Sequence, residues 1–126
     1  MAPSAADIRK IVERYVAAVA TGTADDVLSL YAEGATVEDP VGTEPRTSVD
    51  SLREFYSVLE PMKQTGELLT LRIAGNSAAF HFSLVTDLGE QKFEIAPIDV
   101  MTFDDDGKIT SMKAYWGQDD MITRAD

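Results

Sequence analysis

The chain has 126 residues, 44% of them hydrophobic, no cysteine, and a formal net charge of −11. That length supports one domain, spanning 1–126, that buries roughly two-thirds of its unfolded surface; the composition excludes a disordered chain, a disulfide framework and thiolate metal sites. The acidic balance argues against nucleic acid and anionic membranes as partners and against an anionic substrate steered by the global field.

At the N-terminus no basic segment leads into an apolar run, and no stretch is long enough to span a bilayer, so the expectation is a cytoplasmic protein without a signal peptide. Ser4, with Asp7 three residues on, makes an imperfect capping box. It opens a helix whose apolar stripe is Ile8, Ile11, Val12, Tyr15, Val16 and Val19, ended by Gly22. Thr23 with Asp26 opens a shorter helix through Val27, Leu28 and Tyr31, closed by Gly34. Residues 35–39 read as a short strand broken by Pro40, with Val37 and Asp39 on one face and Glu38 on the other. After the turn 40–45 a third helix starts near Ser48, carries Leu52, Phe55, Tyr56 and Leu59 on one side, and stops at Pro61.

The periodicity then switches from about 3.6 to two. Strands are expected over 67–74, 78–87, 91–103 and 108–116, joined by Gly75-Asn76, Leu88-Gly89 and the 104–107 turn. Three helices followed by a four-stranded meander predict an α+β domain, with the helices on one face of a curved antiparallel sheet.

Within 91–103 the odd row is Phe93, Ile95, Pro97, Asp99, Met101 and Phe103, and the even row is apolar at its centre, Ala96, Ile98 and Val100. A strand of that kind reads as covered on both faces. A carboxyl in such a row loses hydration and is pushed toward its neutral form, which makes Asp99 a hydrogen-bond donor. The alternative is a structural Asp held by a backbone amide or an Arg. Asp39 is either a turn-capping residue before proline or a carboxylate base at a pocket mouth. Tyr15 on an apolar helix face is either core or a donor. With Tyr31 and Tyr56 on inward faces, three phenols can meet, and a chain of them polarises its last member. His81, the single histidine, alternates away from Phe80 and Phe82 and has no ligand-spaced neighbour. It reads as a surface or interface residue, and no metal site is expected.

Taken together, the segments 14–18, 35–42, 53–56, 96–99 and 112–116 resemble bacterial ketosteroid isomerases, of the nuclear transport factor two-like (cystatin-like) fold. The resemblance runs from the first helix to the last strand, and its specific part is the combination of Tyr15, Asp39 and Asp99. It implies a cone-shaped pocket, no cofactor, and isomerisation of 3-oxo-Δ5-steroids to 3-oxo-Δ4-steroids. The roles it implies belong to that family and are not read from spacing: Asp39 as general base, Tyr15 and protonated Asp99 as the oxyanion hole. Tyr31 and Tyr56 would support Tyr15, and Phe55, Phe80, Phe82, Met101, Met112 and Trp116 would line or flank the steroid slot. It also implies a homodimer, with the even row of the 91–103 strand as the apolar face needing cover. Two other readings on such a scaffold are a non-catalytic steroid or lipid carrier, and a cyclase or dehydratase.

Overall fold

Each helix begins where a hydroxyl can cap it. The computed structural model describes residues 3–124. Helix α1 (Ala5–Thr21) starts from a complete, reciprocal Ser4–Asp7 capping box: the Asp7 amide donates to Ser4 Oγ at 3.1 Å and the Ser4 amide to Asp7 Oδ2 at 3.3 Å. Thr23 and Asp26 do the same for α2 (Ala24–Leu28), and Ser48 and Ser51 for α3 (Val49–Leu59).

The strands are β1 (Tyr31–Glu38), β2 (Lys63–Ala74), β3 (Ser77–Asp87), β4 (Lys92–Ile95), β5 (Ile98–Phe103), β6 (Ile109–Tyr115) and β7 (Ile122–Arg124), with a short 3₁₀ turn at Gln118–Asp120. The sheet runs β1-β6-β5-β3-β4-β7, and β2 lies on the other side of β3. Strand β3 is the spine, pairing with β2 along its whole length, with β5 through Ser77–His81 and with β4 through Leu84–Asp87.

Five expectations need correction. The sheet is mixed rather than wholly antiparallel, because β1 pairs with β6 in parallel. The second helix stops at Leu28, so Tyr31 opens β1. Gly34 is therefore no helix terminator: it lies inside β1 with φ of 80°, where the pairing register shifts between Tyr31 and Thr36, a place where glycine supplies a conformation other residues resist. The expected strand 91–103 is two strands, interrupted at Ala96-Pro97. Pro97 has no N–H to give the ladder, although its carbonyl still accepts from the Phe82 amide at 3.3 Å. The alternation nonetheless survives the break: Pro97, Asp99, Met101 and Phe103 are all buried. Nor is that strand covered on both faces within one chain, for Ile98 is 47% exposed and its cross-strand neighbour Tyr115 48%.

The core lies between the helices and the inward row of the sheet, where Ile8, Val12, Phe80, Met101, Ile109 and Met112 are at most 1% exposed. Burial of each such side chain contributes about 1.5–3 kcal/mol. Gly66 of β2 lets α1 come close, since a Cβ there would stand 3.2 Å from both Ala20 Cβ and Val16 Cγ1, and 3.3 Å from the Val16 carbonyl. No helix among the described residues is long and apolar enough to cross a membrane.

Candidate active site

Helices α1 and α3 lie over the sheet and leave between them a cavity of about 250 Å³. Tyr15 and Val19, one turn apart on the apolar stripe of α1, form part of its wall; Phe55, Tyr56 and Leu59 enter from α3. From the sheet come Phe82, Leu84 and Thr86, which share one face of β3 by alternation, and Pro97 and Asp99 from the inward row around β5. Asp39, just beyond β1, and Trp116, just beyond β6, close one side. Another hollow, of about 440 Å³, is lined by exposed side chains such as Arg14, Thr21 and Asp26 and gathers no buried polar group.

The two carboxyls in the cavity wall differ. Asp99 is 2% exposed, and its Oδ1 has no hydrogen-bond partner among the described residues. Burial pushes its carboxyl well above the usual carboxylate range, and the neighbouring Asp39 charge pushes it further. Both influences favour the protonated form of Asp99 over the carboxylate. Asp39 is half-buried, and its Oδ1 accepts from Trp116 Nε1 at 2.7 Å. Burial raises its carboxyl too, but the Trp116 hydrogen bond and the Arg46 charge work against that rise. Glu38 points elsewhere, accepting from the Gly42 amide at 2.9 Å.

Three phenol hydroxyls meet at the cavity wall, Tyr15 and Tyr56 in it and Tyr31 behind. Tyr56 is the centre, its hydroxyl 2.9 Å from that of Tyr15 and 2.7 Å from that of Tyr31. The rings of Tyr15 and Tyr56 pack edge to face with centroids 6.4 Å apart, and Phe80 meets Tyr15 similarly at 6.3 Å. Burial, first of all, lifts all three phenols above their ordinary values, so each remains a neutral O–H.

Of the residues expected to line a slot, Phe55, Tyr56, Phe82 and Trp116 do so, together with Tyr15, Asp39 and Asp99. Phe80, Met101 and Met112 do not: they sit in the core beneath the cavity floor. Tyr31 stands behind Tyr56 rather than in the wall. His81 is half-buried on the opposite face of β3 from Phe80 and Phe82. Also in the wall, and not marked as site residues by the sequence, are Val19, Leu59, Met62, Gln64, Leu84, Thr86, Ile95, Pro97 and Met121. Gln64 lies before the strand that the periodicity predicts over 67–74, so no alternation assigns its face; Thr86 continues the Phe80–Phe82–Leu84 row and is legible by alternation. No group of three or more His, Cys, Asp or Glu side chains among the described residues is arranged to hold a metal ion.

Residues 12–112 match the model of the SnoaL-like domain. A steroid Delta-isomerase of Nocardioides simplex is 45% identical over 117 residues, which is 93% of this chain and 95% of that protein. A solved structure of SalBIII, an epoxide hydrolase/cyclase-like enzyme with a role in pyran ring formation in the polyether salinomycin, superposes with a TM-score of 0.84 at 30% identity, covering 92% of this chain and 95% of that one. The chain belongs to the SnoaL-like domain family, on the nuclear transport factor two-like fold, and is an isomerase.

Proposed function

We propose that this enzyme converts 3-oxo-Δ5-steroids to their conjugated 3-oxo-Δ4 isomers by moving one proton from C4 to C6. The observation that carries the reading is the convergence on one largely apolar cavity of a buried carboxyl, Asp99, a phenol, Tyr15, and a second carboxyl, Asp39, held by Trp116. The similarity to a steroid Delta-isomerase at 45% identity supports it.

The proton at C4 lies between a ketone and an alkene, and it becomes acidic when charge on the ketone oxygen is stabilised. Tyr15 and Asp99 supply two O–H donors to that oxygen in a dry site. Asp39, as carboxylate, takes the C4 proton and returns it at C6, so no other reactant is consumed. The phenol chain then has a required sense. For Tyr15 to spend its proton on the substrate oxygen, Tyr56 donates to Tyr15 and Tyr31 donates to Tyr56, each bond polarising the next. A flat, uncharged substrate suits such walls.

The test is incubation with 5-androstene-3,17-dione while following the ultraviolet absorbance of the conjugated enone. Its catalysed rise without added cofactor is the expected result. No rise above the buffer rate overturns the reading, and epoxide-opening cyclisation, suggested by the likeness to SalBIII, becomes the alternative to assay.

The proposal includes a two-fold homodimer, supported by the exposed Ile98 and Tyr115 side by side on the outward face of β5 and β6. A sedimentation mass of one chain at micromolar concentration would exclude it.

A further inference from the structure

Two buried side-chain polar atoms among the described residues lack a hydrogen-bond partner, Asp99 Oδ1 and Gln64 Oε1, and both residues line the same cavity. The proposed reaction uses Asp99. It does not use Gln64, which is 8% exposed and whose amide carbonyl is a buried acceptor with nothing to accept. Leaving such a group unpaired is destabilising, so its presence in a ligand cavity points to the ligand.

Its position says which part of the ligand. Gln64 on β2 is paired with Thr86 on β3, whereas Asp99 on β5 is paired with Phe80 on β3. Along β3 the two levels are six residues apart, roughly 20 Å of strand at about 3.3 Å per residue before curvature shortens it. Leu84 and Phe82 form the apolar floor between them. Gln64 therefore stands at the far end of the slot from the oxyanion donors.

The chemistry of the pair is specific. Gln64 Nε2 donates to Thr86 Oγ1 at 2.9 Å. Thr86, having accepted, still has its own O–H to give, and Gln64 still has a carbonyl that needs a donor. We propose that Gln64 and Thr86 form a distal subsite for a hydroxyl group on the ligand, which donates to Gln64 Oε1 and accepts from Thr86. A ketone at the same place can only accept, leaving Gln64 Oε1 unpaired. The enzyme thus discriminates for steroids with a hydroxyl rather than a keto oxygen on the ring farthest from the reacting ketone. This rests on the reading of the cavity as a steroid slot.

Binding of conjugated products, which need no turnover, tests it. Trp116, the single tryptophan of the chain, lines the cavity, so its fluorescence reports occupancy. The ligands are testosterone, androst-4-ene-3,17-dione and androst-4-en-3-one, which carry at the far ring a hydroxyl, a ketone and no oxygen. Wild type is expected to bind testosterone about tenfold more tightly than the dione. Gln64→Leu should erase that ratio, and so should Thr86→Val, which leaves Gln64 in place. Equal affinities in wild type, or a ratio that survives both substitutions, overturn the proposal. A protein that isomerises the dione but shows no hydroxyl preference loses this inference alone. One that binds with the preference but forms no enone loses the proposed reaction alone. Failure to bind any of the three overturns both.

Discussion

Asp39 and Asp99 carry the same group into the same cavity, and their surroundings push them toward opposite jobs. Asp99 sits in the inward row of β5 between Pro97 and Met101, and among the described residues no group hydrogen-bonds its Oδ1. Asp39 follows a strand end at the rim, half in solvent, with the Trp116 N–H on one oxygen and the Arg46 guanidinium nearby. Burial raises both. Only at Asp39 is that rise opposed. The comparison teaches that what can stabilise the ionised form separates two identical side chains, and the proposed acid and base roles follow that separation.

The largest effect that would break this comparison comes from removing the proposed base. Asp39→Asn keeps the shape and the Trp116 contact, and turnover should fall by about 10²–10⁴, while a product steroid still binds. Near-wild-type turnover would mean that the rim carboxyl is not the base.

Next comes the acid. Asp99→Leu suits its apolar neighbours but deletes a donor, so the rate should fall by about 10²–10³; Asp99→Asn, which keeps an N–H, should lose less. Stability gives an independent readout. A carboxyl whose folded pKa is raised stabilises the fold fully below its unfolded value of about 3.9, and that contribution is lost as pH climbs toward the folded value. Wild type should therefore weaken relative to Asp99→Leu between pH 4 and pH 8. Denaturation midpoints at those two pH values check it, and a variant that is instead weakest at neutral pH would show Asp99 to be ionised and paired.

The smallest change sharpens the contrast without removing either carboxyl. Trp116→Phe withdraws the hydrogen bond that holds the Asp39 carboxyl down, so the acidic limb of the pH–rate profile should move to higher pH, with a rate loss of about tenfold or less at the plateau. An unmoved limb would show that Trp116 only packs.

Much of this was legible in the chain because burial follows period. The α1 stripe placed Tyr15, and the odd row placed Asp99, even though Pro97 splits the strand that carries it. What was not legible arose where distant pieces set the outcome. Whether Phe80, Met101 and Met112 meet solvent or core depends on how far α1 and α3 stand off the sheet, which no local pattern records. Tyr31 reads as helical because it falls at helical spacing from Val27 and Leu28, and only the parallel pairing with β6 makes it a strand. The three-residue β7 is too short to show alternation and is defined by its partner β4. The pairing of Gln64 with Thr86 likewise joins residues 22 apart.

Gly66 gives the site a dimension that its own residues do not set. With no Cβ beneath Val16 and Ala20, α1 rests directly on β2, and that spacing fixes how deep Tyr15 reaches toward Tyr56 and the cavity. The contacts are tight enough that one added methyl group would have to displace the helix or the strand by a few tenths of an ångström. Hydrogen bonds and proton transfers are sensitive to displacements of that size. The clearance between one helix and one strand is therefore a gauge for the chemistry, and catalytic rate is open to adjustment from a backbone position that never meets the substrate.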